Sequence, residues 1–156
     1  MLKLLLFILT NVLCGLNLSL HDFDDPSANH ILDAEITGEI LIISGMLGGI
    51  EFYDISNRET LYHLTNYNLP GGGGGGAKPN CIKANGDYAY VTAKNGVAIL
   101  NISNPSSPQY IGYISGTNDY NLENLDAHNN ILAVTAHEGG VLFYDISNPS
   151  NPQFLS

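Results

Sequence analysis

From residue 34 onward, apolar residues come in short runs of five or six, separated by turn formers, and the same order of runs occurs three times. Thr37-Gly-Glu-Ile-Leu-Ile-Ile-Ser44 aligns with Asn85-Gly-Asp-Tyr-Ala-Tyr-Val-Thr92 and with His128-Asn-Asn-Ile-Leu-Ala-Val-Thr135. A second block follows each: Gly48-Gly-Ile-Glu-Phe-Tyr-Asp-Ile-Ser-Asn57, Gly96-Val-Ala-Ile-Leu-Asn-Ile-Ser-Asn104 and Gly139-Gly-Val-Leu-Phe-Tyr-Asp-Ile-Ser-Asn148. Ser44, Thr92 and Thr135 lie 48 and then 43 residues apart, and Asp54, Asn101 and Asp145 lie 47 and then 44 apart. Periods of this size mark one supersecondary unit repeated because it cannot bury its apolar surface alone.

Each repeat parses into four short strands. Strand one surrounds Ala34 to Ile36, Ile82 to Ala84 or Leu125 to Ala127. Strand two is Ile40 to Ser44, Tyr88 to Thr92 or Ile131 to Thr135. Strand three is Ile50 to Ile55, Val97 to Ile102 or Val141 to Ile146. Strand four is Tyr62 to Thr65, Gln109 to Ile114 or Gln153 onward. The first turns are read at Thr37-Gly38, Asn85-Gly86 and His128-Asn129, with φ > 0 expected at both central residues. Strands two and three are apolar at nearly every position, which predicts cover on both faces. Ile50, Phe52, Val97, Ile99, Val141 and Phe143 should point one way, and Tyr53, Leu100 and Tyr144 the other. A four-stranded antiparallel sheet buried on both faces and repeated about every 45 residues predicts an all-β chain of propeller blades.

Strand three ends on Asp54, Asn101 or Asp145. An Asx side chain there can bond the backbone N–H two residues on and begin a turn. Pro105, Pro108, Pro149 and Pro152 then stop the strand from continuing. Repeat one departs, with Arg58-Glu59-Thr60-Leu61 in place of the prolines. Asp54, Asn101 and Asp145 are therefore assigned to structural turns.

The two later copies, Gly96 to Gly112 and Gly139 to Gln153, with the preceding Asn85 to Thr92, resemble the LVIVD repeat; surface propellers with Tyr-Val-Thr-Asn repeats are similar. The resemblance covers Ala34 to Ser156 and implies a β-propeller of an exported or cell-surface protein. WD and kelch repeats fit poorly, since the chain has no Trp. Propellers have about four to eight blades, so three copies imply a partial propeller. A fragment of a longer protein, two chains combined, or an open stack would each account for it, and an open stack would expose apolar faces.

The chain has 156 residues, 44% of them hydrophobic and 13% charged. Charged residues fall well below the roughly 25% of ordinary domains, but the apolar content excludes a globally disordered chain. Fifteen acids against five bases give a net charge of -10, which argues against nucleic acid or an anionic membrane surface as partner. Residues 1–20 carry Lys3, an apolar run from Leu4 to Leu13 and then polar residues. That order is a signal peptide's, and the run is too short to span a bilayer. Leu13 is larger than a lipobox allows before Cys14, which makes lipid anchoring the minor alternative. With the leader removed only Cys81 remains for certain, so the fold depends on no internal disulfide. The organisation is then a signal peptide (1–20), an acidic segment (21–33) and blades at 34–70, 82–117 and 125–156, with a Gly-rich insertion at 71–76.

Several motifs invite chemistry. Gly71 to Gly76 is no phosphate loop: Lys78 precedes Pro79, and neither a helix nor a parallel strand frames the run. It reads as a flexible insertion. His137-Glu138 lacks the second histidine of a zinc helix. His128 belongs to a turn, and His21, His30 and His63 have no ligand spacing. Asn17 and Asn101 match the glycosylation pattern without structural support for it. No cofactor or metal is expected. The one candidate ion is Ca²⁺, for which Asp119-Tyr-Asn-Leu-Glu123 and Asp22-Phe-Asp24-Asp25 offer oxygens but no complete loop.

The residues that do not recur are different in kind. Met46, Lys94 and His137 align at one tip and are unrelated, which marks a variable, exposed position. Blade-to-blade loops and these tips share one end of a propeller, which would hold Lys78, Lys94, Asp119, Glu123, His137 and Glu138. These are the candidate ligand-face residues. The favoured reading is a secreted or surface-attached propeller that binds a protein or glycan without catalysis. The alternative is part of an exported lyase or hydrolase whose active site lies largely on further blades; fold alone does not license it. Export predicts removal of Met1 to about Leu20. Mass spectrometry of protein recovered from the envelope or medium should show the new N-terminus, and an intact Met1 on folded cytoplasmic product would contradict it.

Overall fold

The computed structural model describes residues 31–45, 49–57, 59–70, 79–93, 96–115 and 122–156. They form twelve strands in three antiparallel sheets, each hydrogen-bonded in chain order. Blade one contains β1 (Ile31–Thr37), β2 (Ile40–Gly45), β3 (Gly49–Asp54) and β4 (Tyr62–Tyr67). Blade two contains β5 (Pro79–Asn85), β6 (Tyr88–Ala93), β7 (Gly96–Asn101) and β8 (Gln109–Ser115). Blade three contains β9 (Asn124–His128), β10 (Ile131–Thr135), β11 (Val141–Asp145) and β12 (Gln153–Phe154). One 3₁₀ turn, His137–Gly139, joins β10 to β11. No helix among the described residues is long and apolar enough to cross a membrane.

β1, β5 and β9 lie side by side, so the first strand of every blade is the innermost. Blade two is covered on both faces because its strands alternate. Ile82, Ala89, Val91, Ala98 and Leu100 pack with Ile42, Ile50 and Phe52 of blade one. Cys81, Tyr90, Val97 and Ile99 pack with Leu125, Leu132, Val134, Leu142 and Tyr144 of blade three. The expected division of strand three into two faces therefore holds. Cover on both faces does not hold for blade three, where Ile131, Val141 and Phe143 are exposed.

Two other expectations shift. β1 begins at Ile31, inside the segment read as an acidic leader to the blades. The first turns also fall one residue later than read: Thr37 pairs Ile40, Asn85 pairs Tyr88 and His128 pairs Ile131. The two-residue loops are Gly38-Glu39, Gly86-Asp87 and Asn129-Asn130. Only their first residues have positive φ, +59°, +61° and +53°. That differs from the type I′ turn expected, in which both central residues have positive φ. Asn129 takes the place of glycine because Asn tolerates the left-handed region better than other side chains.

Strand four carries a recurring irregularity. The pairing slips between Phe52 and Tyr53 in blade one and between Ile99 and Leu100 in blade two. In blade three the bonds from Leu155 N to the Phe143 carbonyl and from Phe143 N to the Ser156 carbonyl continue the pairing beyond β12. An extra residue on one strand bends it and increases its twist. Leu64 and Ile111, at the slip, turn into the inter-blade packing.

Ile99 is buried among both blades' side chains, so Ile99→Ala should cost about 2–5 kcal/mol by loss of apolar contact and the cavity left behind. Denaturant unfolding measures this, and a loss under about 1 kcal/mol would contradict the packing.

Candidate functional site

The inner strands carry side chains that replace backbone pairing between blades. β5 has an edge whose N–H groups find no strand partner, and blade one supplies carboxylates to them. Ile82 N donates to Asp33 Oδ2 at 3.0 Å and Ala84 N to Glu35 Oε1 at 3.3 Å. Glu35 Oε2 also accepts from Lys83 Nζ at 2.8 Å. In β9 the blade's own side chains do this: Leu125 N donates to Asn124 Oδ1 at 2.8 Å and Ala127 N to Asp126 Oδ1 at 3.0 Å. An unpaired strand edge invites foreign strands, and these side chains block it. Glu35, Lys83 and Asp126 occupy equivalent positions of the three repeats. The Glu35 carboxylate, foremost, raises the Lys83 pKa.

Recurring hydroxyls secure the start of the inner strands. Cys81 N donates to Thr92 Oγ1 at 2.8 Å, and Asn124 N to Thr135 Oγ1 at 3.0 Å. In β5 the pairing slips between Pro79 and Ile82, and the hydroxyl takes the place of the carbonyl the slip removes. Ser44, Thr92 and Thr135 were visible in the sequence as markers of the repeat period, but no role could be read from them. Cys81 Sγ lies 2.9 Å from Asn124 Oδ1. Burial foremost pushes the Cys81 thiol up to about 11, which removes the thiolate at neutral pH.

Asp54, Asn101 and Asp145 each accept from the backbone two residues on. Ser56 N donates to Asp54 Oδ1 at 2.8 Å, Ser103 N to Asn101 Oδ1 at 2.9 Å and Ser147 N to Asp145 Oδ1 at 2.8 Å. A second Asx turn follows three residues later, at Asn57, Asn104 and Asn148. The Ser56 hydroxyl, then its N–H, holds the Asp54 carboxyl below the usual range. For Asp145 the Ser147 N–H contributes most and the hydroxyl next.

Of the candidate ligand-face residues, Lys78, Lys94 and Asp119 lie outside the described residues, as do residues 1–20, Asp22 to Asp25, Met46 and the Gly-rich insertion. Glu123, His137 and Glu138 are exposed, at the end where the loop into β9 meets the β10–β11 tip. His137 Nε2 is 3.7 Å from Glu123 Oε1, and Glu123 N donates to the Thr135 carbonyl at 3.2 Å. The structure thus brings Glu123 and His137 together. A chain of contacts leads from this pair across all three blades. Asn80 Nδ2 donates to the Glu123 carbonyl at 3.1 Å, and Ser44 Oγ donates to the Asn80 carbonyl at 2.8 Å. His137 has φ +44°, a strained value for a residue other than glycine. His128 ends β9, and His63 stands edge-on to Tyr53 with ring centroids 5.1 Å apart.

One residue escaped sequence reasoning. Glu51 is only 4% exposed. Its Oε2 accepts from Tyr53 Oη at 2.5 Å, while Oε1 is buried with no partner among the described residues. The signal was present: the equivalent residues are Ala98 and Leu142.

A cleft of about 250 Å³ opens between β8 and the Pro149–Pro152 turn. Tyr113, Ser115, Ser150 and Asn151 contribute its polar lining.

The family model for the LVIVD repeat matches residues 76–115, which hold blade two, and residues 134–156, which hold the end of β10 and the rest of blade three. Among solved structures, the computationally designed Ika8 protein superposes with a TM-score of 0.60 at 14% identity, covering 78% of this chain and 35% of that one. The N-terminal domain of Nup159 gives 0.49 at 12% identity, covering 81% and 30%. The chain spans about a third of the length of each. At these identities the first likeness concerns the fold alone. No curated protein matches the chain. The chain is an all-β array of three propeller-like four-stranded sheets, in the second and third of which the LVIVD repeat is matched.

Three outcomes are expected. Asp145→Ala should lower Tm by removing the turn's acceptor, whereas His137→Ala, at an exposed tip of positive φ, should lower it less. Neutral Asp145→Ala with an unfolding His137→Ala would invert the assignment. A carboxyl with a depressed folded-state pKa stabilises above its ordinary pKa of 3.8, and that contribution is lost as pH falls through the lower folded value. Asp145→Asn keeps the acceptor, as Asn101 does, and should shift acid unfolding followed by circular dichroism to lower pH; a shift to higher pH would contradict this. Cys81 should resist thiol reagents at pH 8 until the chain is unfolded, and rapid labelling of native protein would show that it is not buried.

Proposed function

We propose that the protein is exported and works at the cell surface or outside the cell as a non-catalytic propeller module binding a protein or glycan. The carrying observation is the division between residues that recur and residues that do not. Asp54, Asn101 and Asp145 recur and are bonded into turns. Glu123, His137 and Glu138 are exposed together at one end and free of any such duty, with the Glu123–His137 contact at 3.7 Å. A surface ion pair of this kind contributes little to stability, about 0–1 kcal/mol, so these side chains are available to a ligand. A net charge of -10 favours neutral or basic partners. The leader-like residues 1–20 support export.

The test uses the purified chain on glycan arrays and on extracts of the cell envelope. Glu123→Ala/His137→Ala/Glu138→Ala should keep the wild-type Tm and weaken capture about tenfold or more, the equivalent of roughly 1.4 kcal/mol. Undiminished capture by this variant would remove the proposed face.

A further inference from the structure

The two junctions between blades are not alike. At the first, Tyr67 and Thr65 of β4 stand opposite Ile50 and Phe52, on the side packed against blade two. The Tyr67 hydroxyl reaches the Tyr110 backbone, and Pro108 in the turn before β8 is buried. At the second junction the residues in the same register of β8 are Ile114 and Gly112. Ile114 has no hydroxyl to send across. A Cβ at Gly112 would meet nothing within 4 Å, and Pro152, the counterpart of Pro108, is only half-buried. The cleft of about 250 Å³ between β8 and the Pro149–Pro152 turn is the space that these smaller residues leave.

We infer that this cleft binds one neutral sugar residue. Its lining decides the class of ligand. Ile99, Ile114, Pro149 and Pro152 present C–H surface, and Ser150 and Asn151 add an exposed hydroxyl and an exposed amide. The turn that carries these two is already closed: Ser150 N and Asn151 N donate to Asn148, and Gln153 Nε2 donates to the Asn151 carbonyl. Their side chains are therefore held in place before a ligand arrives, which lowers the cost of binding. No charged side chain among the described residues lines the cleft, so an ionic ligand would find no counter-charge. A chain of net charge -10 also repels anions. A wholly apolar ligand would bury the Ser150 hydroxyl and the Asn151 amide without partners, which is costly. An uncharged ring with hydroxyls at its edge and C–H groups on its faces meets both requirements. The volume falls below the roughly 300–1,000 Å³ of ordinary ligand pockets, which limits the cleft to a single ring. It shares no lining residue with the Glu123–His137 end, and neither inference depends on the other.

The test titrates the full chain with the methyl glycosides of glucose, galactose and mannose and follows backbone amide shifts by NMR. At least one glycoside should shift the amides of Gly112, Ser150 and Asn151, with a Kd in the millimolar range that so few ligand atoms allow. Gly112→Thr places the blade-one residue at the open position, where the backbone has no positive φ to strain it. It should keep the wild-type Tm and weaken binding about tenfold or more. Asn151→Ala should also weaken binding, with Tm unchanged. Glucuronate should bind more weakly than methyl glucoside. The inference is overturned if no glycoside shifts these amides, if Gly112→Thr and Asn151→Ala bind as well as the wild type, or if glucuronate is preferred. It is overturned equally if the uncharged peptide acetyl-Gly-Ser-Gly amide shifts these amides and the glycosides do not, which would give the cleft to a peptide.

Discussion

A four-stranded sheet has two faces and no means of its own to cover either, and everything in this protein follows from that. Burial of apolar area contributes about 25 cal/mol per Å², but only when a second surface is present. Blade two has a neighbour on each side, and its central strands are buried almost throughout. Blade three has one neighbour, and its central strands alternate between buried and exposed. Similar sequences thus adopt the same backbone with different degrees of cover: blade one also has one described neighbouring blade, yet Ile43, Glu51 and Tyr53 on its other face are buried.

Between blades the contacts divide by depth. The broad faces are apolar and non-directional, and they set the spacing. The inner strands are polar and directional, and they set the register. Asp33 and Glu35 reach across to the backbone of β5, and Asn80 reaches the loop into β9. These bonds satisfy donors that would otherwise be left open at a strand edge. They engage the backbone of Glu123 but leave its side chain and that of His137 exposed at the end of the stack, and on this the functional proposal rests.

Much of the fold was legible because one requirement is written three times. The Asx at the end of strand three recurs, and its acceptor bond is found in every blade. The alternation Ile50-Phe52 against Tyr53 gave the two faces correctly. The turn phase was misread because Asn85-Gly86 suggests a type I′ pair, while the left-handed residue stands first in the loop and the asparagine closes the strand. The hydroxyls of Thr92 and Thr135 gave no chemical signal, since their bonds to Cys81 N and Asn124 N join residues eleven positions apart across the first hairpin. Glu51 was hidden among apolar neighbours in strand three. The Glu123–His137 contact joins residues from two loops, and spacing along the chain does not encode their approach.

Native-state hydrogen exchange resolved by residue tests most directly whether neighbouring blades supply the stability. The account predicts that amides of β6 and β7 exchange only by global unfolding, and that those of β10 and β11 open at measurably lower free energy. Equal protection of the two pairs, or greater protection of β10 and β11, would contradict it.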